Sequence, residues 1–372
     1  MSERNRTGDE STGPGASSGP VTGIAPGRVN LIGEHVDYNG GRCLPIALTQ
    51  STSATVRMRG DHRVRVTSGE RSWEGPVAAL TDADPWARYV TGVLLALGVE
   101  QGVDIEVRSD VPIGAGLSSS AALECSVAVA LNTLLTLGRS PDELVSASVR
   151  AEQEYVGAPT GGLDQAIAIH AEPGHAMLLD FADGSREQVA FDPAAHGLAV
   201  LVIDTRVSHE LTDGGYGSRR HDARQAAKLL HLGHLAQATP DQVDGLPAPL
   251  DRRARHVLTE VARVDGFVAA LRTEEWDSLG PLLDASHASL RDDYEVSCEE
   301  LDVAVVTARQ AGALGARMTG GGFGGSAIAL VPSERLEAVR TAVRIAFVSH
   351  GWGEPAFLDA EPGRGARVAS SA

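Results

Sequence analysis

Strict alternation and helical spacing of apolar residues take turns along this chain. Residues 103–109, VDIEVRS, alternate apolar with polar, the pattern of a strand with one buried face. The unbroken apolar run at 198–203 predicts a second strand, and the run at 326–331 behind a glycine cluster predicts a third. Helical spacing covers 118–137, 141–156, 219–231, 251–272 and 334–349, whereas 232–250, rich in Pro, Gly and Gln, predicts irregular structure. Strands and helices interleave, so the fold class is α/β (α+β). Residues 1–20 are polar, rich in Ser and Gly, and predict a disordered leader; 361–372 predicts a flexible tail. Between these ends a change of domain falls near 175–200, giving an N-terminal domain over 21–180 and a C-terminal domain over 181–360. That is the arrangement expected for 372 residues.

Charge narrows the range of functions. With 49 acidic against 32 basic residues the net charge is −17, which repels nucleic acid and anionic membranes. A small anionic ligand in a local cationic pocket stays allowed. Lys228 is the single lysine, so a Gly-Lys-Ser/Thr phosphate loop is absent, as is any kinase strand lysine. Phosphate would have to be met by arginine, helix N-termini or a metal. Cys43, Cys125 and Cys298 are odd in number and far apart, which points to reduced thiols in a cytoplasmic protein. The most apolar stretch, near 121–137, carries Glu124, Ser126, Asn132 and Thr133 and is too polar and short to span a bilayer.

Four segments concentrate chemistry. The run 113–122, IGAGLSSSAA, joins the alternating strand to an apolar helix; Gly114 and Gly116 permit a tight turn, and Ser118, Ser119 and Ser120 stand at the helix start, where unpaired N–H groups favour an anion. On residues alone, a serine-capped helix after a glycine turn explains the run equally well. The stretch 25–41 packs Arg28, Glu34, His35, Asp37 and Asn39 among short apolar residues and glycines, a mixture suited to sugar hydroxyls or to a turn-rich strand pair. In 150–165, Glu152 lies late on a helix and Asp164 follows Gly161-Gly162, either converging with it on a cleft or simply capping the next helix. Last, Gly320-Gly-Gly-Phe-Gly-Gly325 makes a backbone able to approach a nucleotide or the first glycine loop, and a flexible turn explains it equally. His231 and His234 have helical spacing but no third ligand nearby, and read as exposed helix histidines.

Taken together these segments resemble a known family. GRVNLIGEHVDY at 27–38 resembles the galactokinase signature almost letter for letter, PIGAGLSSSAA at 112–122 resembles the phosphate loop of the galactokinase, homoserine kinase, mevalonate kinase and phosphomevalonate kinase superfamily, and GGGFGG at 320–325 resembles its third motif. The resemblance implies a two-domain small-molecule kinase fold with the active site in the interdomain cleft. It implies transfer of the ATP γ-phosphoryl group to the anomeric hydroxyl of α-D-galactose with Mg²⁺ as cofactor, the alternatives being a kinase for N-acetylgalactosamine or another sugar and a non-catalytic regulator that senses galactose and ATP; a monomer is expected. Asp164 would be the catalytic base and Arg28 the arginine beside the reacting hydroxyl. Glu34, His35, Val36, Asp37, Gly161 and Tyr216 would contact the sugar. Gly114, Ala115, Gly116, Leu117, Ser118, Ser119 and Ser120 would hold ATP phosphates, Trp86 would lie near adenine, and Ser120 and Glu152 would bind the metal. Two departures flank the sugar site. Gly-Gly-Leu-Asp replaces the more frequent Gly-Ile-Met-Asp, and Thr212-Asp-Gly-Gly215 replaces the usual Ser- and Glu-containing run.

Overall fold

The alternation at Val103–Ser109 becomes a strand whose Val103, Ile105 and Val107 face a core. The computed structural model describes residues 19–158, 160–208 and 215–370. The expected leader, but for its last two residues, and Thr212–Gly214 in number therefore lie outside the described residues. The strand sits in a six-stranded sheet with the order Arg367–Val368, Val21–Asn30, Pro45–Met58, Val103–Ser109, Arg63–Ser68, Arg71–Pro76. Neighbours are antiparallel except Arg63–Ser68 and Val103–Ser109.

Helices Arg88–Leu97, Ser119–Leu134 and Pro141–Arg150 bury Val90, Leu94, Val127, Leu131 and Leu144 against Val56, Val64, Val66 and Ile105 of this sheet. Helix Ser119–Leu134 lies so close to the first strand that a Cβ on Gly23 would stand 2.1 Å from the Ser126 carbonyl oxygen. Only glycine allows that approach.

A second, antiparallel sheet has the order Gly315–Thr319, Gly324–Pro332, Leu198–Ser208, Ala356–Ala360. Leu201 and Ile203 face a core shared with helices Glu299–Gln310 and Leu336–Ser349, through Leu301, Val305, Val343 and Phe347. Val200 and Val202 face the opposite way, onto Val29, Leu31, Ile46, Leu48, Phe267 and Leu283. Burial on both faces explains why 198–203 is apolar without alternation. It also fuses the two sheets through a common core, of which Val29 lies one residue beyond Arg28.

Several expectations need correction. The helix expected over 141–156 is α-helical only for Pro141–Arg150, started by a Ser140/Glu143 capping box with Pro141 in the first turn. It then widens into a π-helical turn, Ala151–Val156, that ends at left-handed Gly157. The 232–250 segment holds a 3₁₀ turn, Leu235–Gln237, and a short helix, Pro240–Asp244. Helices Leu279–Asp292 and Glu299–Gln310 have no counterpart in the sequence reading. The expected flexible tail is ordered over 361–370. Gly363 N–H bonds Ala47 O, Gly365 N–H bonds Ala171 O, and Arg367 and Val368 pair with Ile24 and Gly23. Backbone pairing holds this segment, so its polar composition gave no sign of it. A cut at residue 180 would divide the hairpin of His175–Asp180 with Arg186–Ala190. No helix among the described residues is long and apolar enough to cross a membrane.

Candidate active site

Arg28 leaves the first strand beside the 113–122 loop and is gripped on three sides. Its Nε and Nη2 donate to Asp164 Oδ1 and Oδ2 at 2.7 and 2.8 Å, and Nη1 donates to Gly116 O at 2.6 Å. Its backbone N–H meets Leu117 O at 3.0 Å. This fork is specific to a guanidinium; an ammonium could not make all three bonds in plane. Burial opposes the Arg28 charge, but Asp164 and Glu34 outweigh it and raise its pKa above the ordinary value.

Ser118 adopts a left-handed conformation and spends its hydroxyl on Asp164 Oδ2, so it does not cap the helix that follows. The amides at the start of Ser119–Leu134 are left without a side-chain partner, next to the Gly114–Gly116 turn. That favours an anion over the capping explanation. Asp164 likewise is more than a cap: it is bound to Arg28 from the start of helix Leu163–His170. Ala115 and Leu117 point into the core, and Ala115 O accepts the Ser326 hydroxyl at 2.6 Å.

The π-helical turn delivers Glu152, which is buried and accepts from Ser120 Oγ at 3.1 Å through Oε1 and from Gln165 Nε2 at 2.6 Å through Oε2. Burial, and then the Asp164 charge, raise its pKa despite these bonds.

On the other side of Arg28 lies a polar cavity of about 190 Å³ whose lining includes Glu34, His35, Asp37, Gly161, Asp164 and Tyr216. The 320–325 run braces it: Gly320 N–H donates to Glu34 Oε1 at 2.7 Å, and Gly321 O lies 3.2 Å from His35 Nε2. A carbonyl at Nε2 puts the ring proton there, leaving Nδ1 to accept from Tyr38 Oη at 2.8 Å. Burial drives the His35 pKa down to about 3, so the ring is neutral. Its faces meet Tyr294 and Tyr216, with ring centres at 4.9 and 5.4 Å. Burial pushes Asp37 up to about 6, opposed by the Tyr38 N–H and helped by Asp164 and Glu34.

A second cavity, lined by Gly114, Gly116, Leu117, Ser118, Ser119 and Ser120, shares Arg28, Asp164, Gly320 and Gly321 with the first. The two meet at the Arg28–Asp164 pair. The glycine run at 320–325 therefore supports both pockets and packs against the first glycine loop.

Three residues do not join this assembly, the first being Ala115, whose side chain is buried in the core and lines neither cavity. Val36 is fully buried in the apolar core beside Cys43 and Ala47, so its side chain is no sugar contact; its carbonyl holds the turn by accepting from Asn39 and Gly41 N–H. Trp86 packs against the N-terminal core and lines neither cavity. Thr160, Gly320, Gly321 and Gln165 belong to the site without having been singled out as its members. For Gln165 the signal was adjacency to Asp164.

The fold and this pair of pockets define a small-molecule kinase. Family models match as "GHMP kinases N terminal domain" over residues 88–172, "GHMP kinases C terminal" over 267–349 and "Galactokinase galactose-binding signature" over 15–58. The chain is 45 % identical to a galactokinase of Streptomyces coelicolor, covering 92 % of each, and 44 % identical to one of Mycobacterium tuberculosis, covering 89 % of this chain and 94 % of the other. The structure of Lactococcus lactis galactokinase complexed with galactose superposes with a TM-score of 0.89 at 34 % identity, over 94 % of this chain and 95 % of that one. The chain belongs to the galactokinase family. A mevalonate kinase of Methanococcus jannaschii shares the fold at TM-score 0.68 and 16 % identity.

Proposed function

We propose that the chain transfers the γ-phosphoryl group of ATP to the anomeric hydroxyl of α-D-galactose. The observation that carries this reading is the junction of the two cavities at Arg28 and Asp164. A sugar among Glu34, His35, Asp37, Gly161 and Tyr216 would present a hydroxyl there, opposite a triphosphate on the 114–120 loop. Glu34 and Asp37 supply fixed acceptors for hydroxyls, while neutral His35, both ring nitrogens already paired, helps to shape the pocket. Tyr216 supplies a flat wall.

Asp164 accepts one bond at Oδ1 and two at Oδ2, which leaves acceptor capacity on Oδ1 for the substrate hydroxyl. It takes the proton as general base while Arg28 offsets charge on the transferring group. The uncapped amides at Ser119–Leu134 hold phosphate oxygens, which accounts for phosphate chemistry without an active-site lysine.

Among the described residues no cluster of three or more His, Cys, Asp or Glu is disposed to hold a metal. One carboxylate and one hydroxyl nevertheless suit Mg²⁺, which keeps waters and takes its other oxygens from phosphates. Ser120 and Glu152, 3.1 Å apart, would hold it. Bound there, it would neutralise phosphate charge as the group moves.

Three free thiols support a cytoplasmic setting. The family models end at 172 and begin at 267, an interval that contains the boundary expected at 175–200. A coupled ADP-release assay with galactose, N-acetylgalactosamine, glucose and no sugar tests the activity. Galactose should dominate, and glucose should trail by up to roughly 10⁴-fold, because its C4 hydroxyl leaves a buried acceptor unpaired. Sugar-independent ADP release, or a preference for N-acetylgalactosamine, would reject it.

A further inference from the structure

Glu124 lies on helix Ser119–Leu134, fully buried, four residues beyond Ser120 and outside both cavities. Its Oε2 accepts from Gln165 Nε2 at 3.1 Å, and the same nitrogen donates to Glu152 Oε2 at 2.6 Å. Gln165 is itself fully buried, and the Thr160 hydroxyl lies 3.5 Å from its carbonyl oxygen. The two hydrogens of one amide are thus divided between two carboxyl groups, an arrangement that fixes the amide and each carboxyl at once. A buried acid with no cation beside it among the described residues is a costly feature in a helix otherwise facing an apolar core.

We infer that Glu124 and Gln165 are positioning residues that hold the Glu152 carboxylate in the orientation in which Oε1 faces Ser120. The inference rests on the reading of Ser120 and Glu152 as the Mg²⁺ site. With Oε2 turned to Gln165, Oε1 is the oxygen that Glu152 directs toward Ser120 and a cation beside it. Glu124 anchors the far side of the amide. Without it Gln165 could rotate, and Glu152 would be free to turn both oxygens toward the pocket. Burial, and then the Glu152 charge, push the Glu124 pKa well above the usual range, and the bond it makes to Gln165 uses one carboxyl oxygen as an acceptor. Glutamine should therefore replace it, its carbonyl accepting the same bond.

The test is Mn²⁺ binding, read by electron paramagnetic resonance with a non-hydrolysable ATP analogue and no turnover. Galactose binding by calorimetry serves as the check on folding. Glu124→Leu and Gln165→Met should each weaken Mn²⁺ by about 10- to 100-fold with galactose affinity retained, whereas Glu124→Gln should stay within about twofold of wild type. Glu152→Gln separates the two readings. If it leaves Mn²⁺ affinity unchanged, the metal-site reading fails. If it weakens Mn²⁺ while Glu124→Leu and Gln165→Met do not, the positioning inference fails alone. Should Glu124→Leu not fold, Gln165→Met and Glu124→Gln decide: loss in the first with retention in the second supports the inference, and any other pair of results overturns it.

Discussion

Gly161 and Asp37 are in contact so close that a β-carbon on the glycine would sit 1.9 Å from Asp37 Oδ2. The loop before Asp164 and the turn after His35 therefore close on one another only because position 161 has no side chain.

Gly161→Ala should consequently push the Asp37 carboxylate aside, since that side-chain end moves more easily than either backbone. The expected result is a galactose KM raised by about tenfold or more, as for one charged hydrogen bond of about 1.5–3 kcal/mol, with Tm little changed. Steady-state kinetics and a thermal melt check it. A large fall in Tm with KM unchanged would mean the glycine serves folding instead.

Asp37 also sets a pH dependence. Its pKa is raised from 3.8 to about 6 in the free protein, so the protonated form is favoured by folding. The associated stability is fully present below about pH 4 and is lost as pH rises through 6. Relative to Asp37→Asn, wild-type stability should fall between pH 4 and pH 6, measured by denaturant unfolding at each pH. Sugar affinity should move the other way, because hydroxyls need the ionised carboxylate: galactose affinity should rise through pH 6 in wild type and stay flat in Asp37→Asn. His35, lowered from 6.5 to about 3, adds a stability that rises with pH between those values, opposite in sign to Asp37, and the comparison with Asp37→Asn cancels it.

Asp164→Asn should lower kcat by roughly 10²–10⁴-fold while galactose and ATP still bind, since the amide keeps the shape and loses the base. Arg28→Lys should also lower kcat steeply, because a single ammonium cannot bridge Asp164 and Gly116 O together. Isothermal binding beside steady-state rates checks both. A kcat near wild type in Asp164→Asn would remove the base from the mechanism.

Removing residues 362–372 should lower Tm by several degrees, since it strips the backbone partners of Ala47, Ala171, Gly23 and Ile24 and uncovers the small cluster of Ala25, Cys125 and Ala168 that Ala366 covers. Calorimetry of the truncated chain tests this. An unchanged melt would show that those bonds are replaced by water at no cost.

How much of this was legible in advance depends on how local each signal is. Arg28, Asp164, Ser120 and Glu152 could be singled out because their motifs are short and contiguous, and the strand at 103–109 because alternation is written into seven successive residues. Residues whose role comes from distant partners stayed hidden. Glu124 stood out only as a charge in an apolar run, and its bond to Gln165 spans 41 positions. Val36 was grouped with its polar neighbours although a β-branched apolar residue between His35 and Asp37 is what turns the segment toward the core. The ordered 361–370 segment has little apolar content, and backbone pairing leaves no compositional trace. The π-helical turn at 151–156 continues the helical spacing of 141–150, so periodicity alone does not reveal where the helix widens.

The pairing of Ile24 with Arg367 has a bearing on how the chain is made. A ribosome releases residues in order, so the strand bearing Arg28 emerges first and can pair with Pro45–Met58 early. Its other edge must wait while nearly all of both domains is synthesised. Throughout that interval the edge at Gly23 and Ile24 is an open template for any extended peptide, a hazard for a strand whose pairing is incomplete. The stretch that finally covers it is short, polar and rich in glycine, able to thread quickly against an already folded body. Synthesis, rather than stability alone, gives that closing strand its importance.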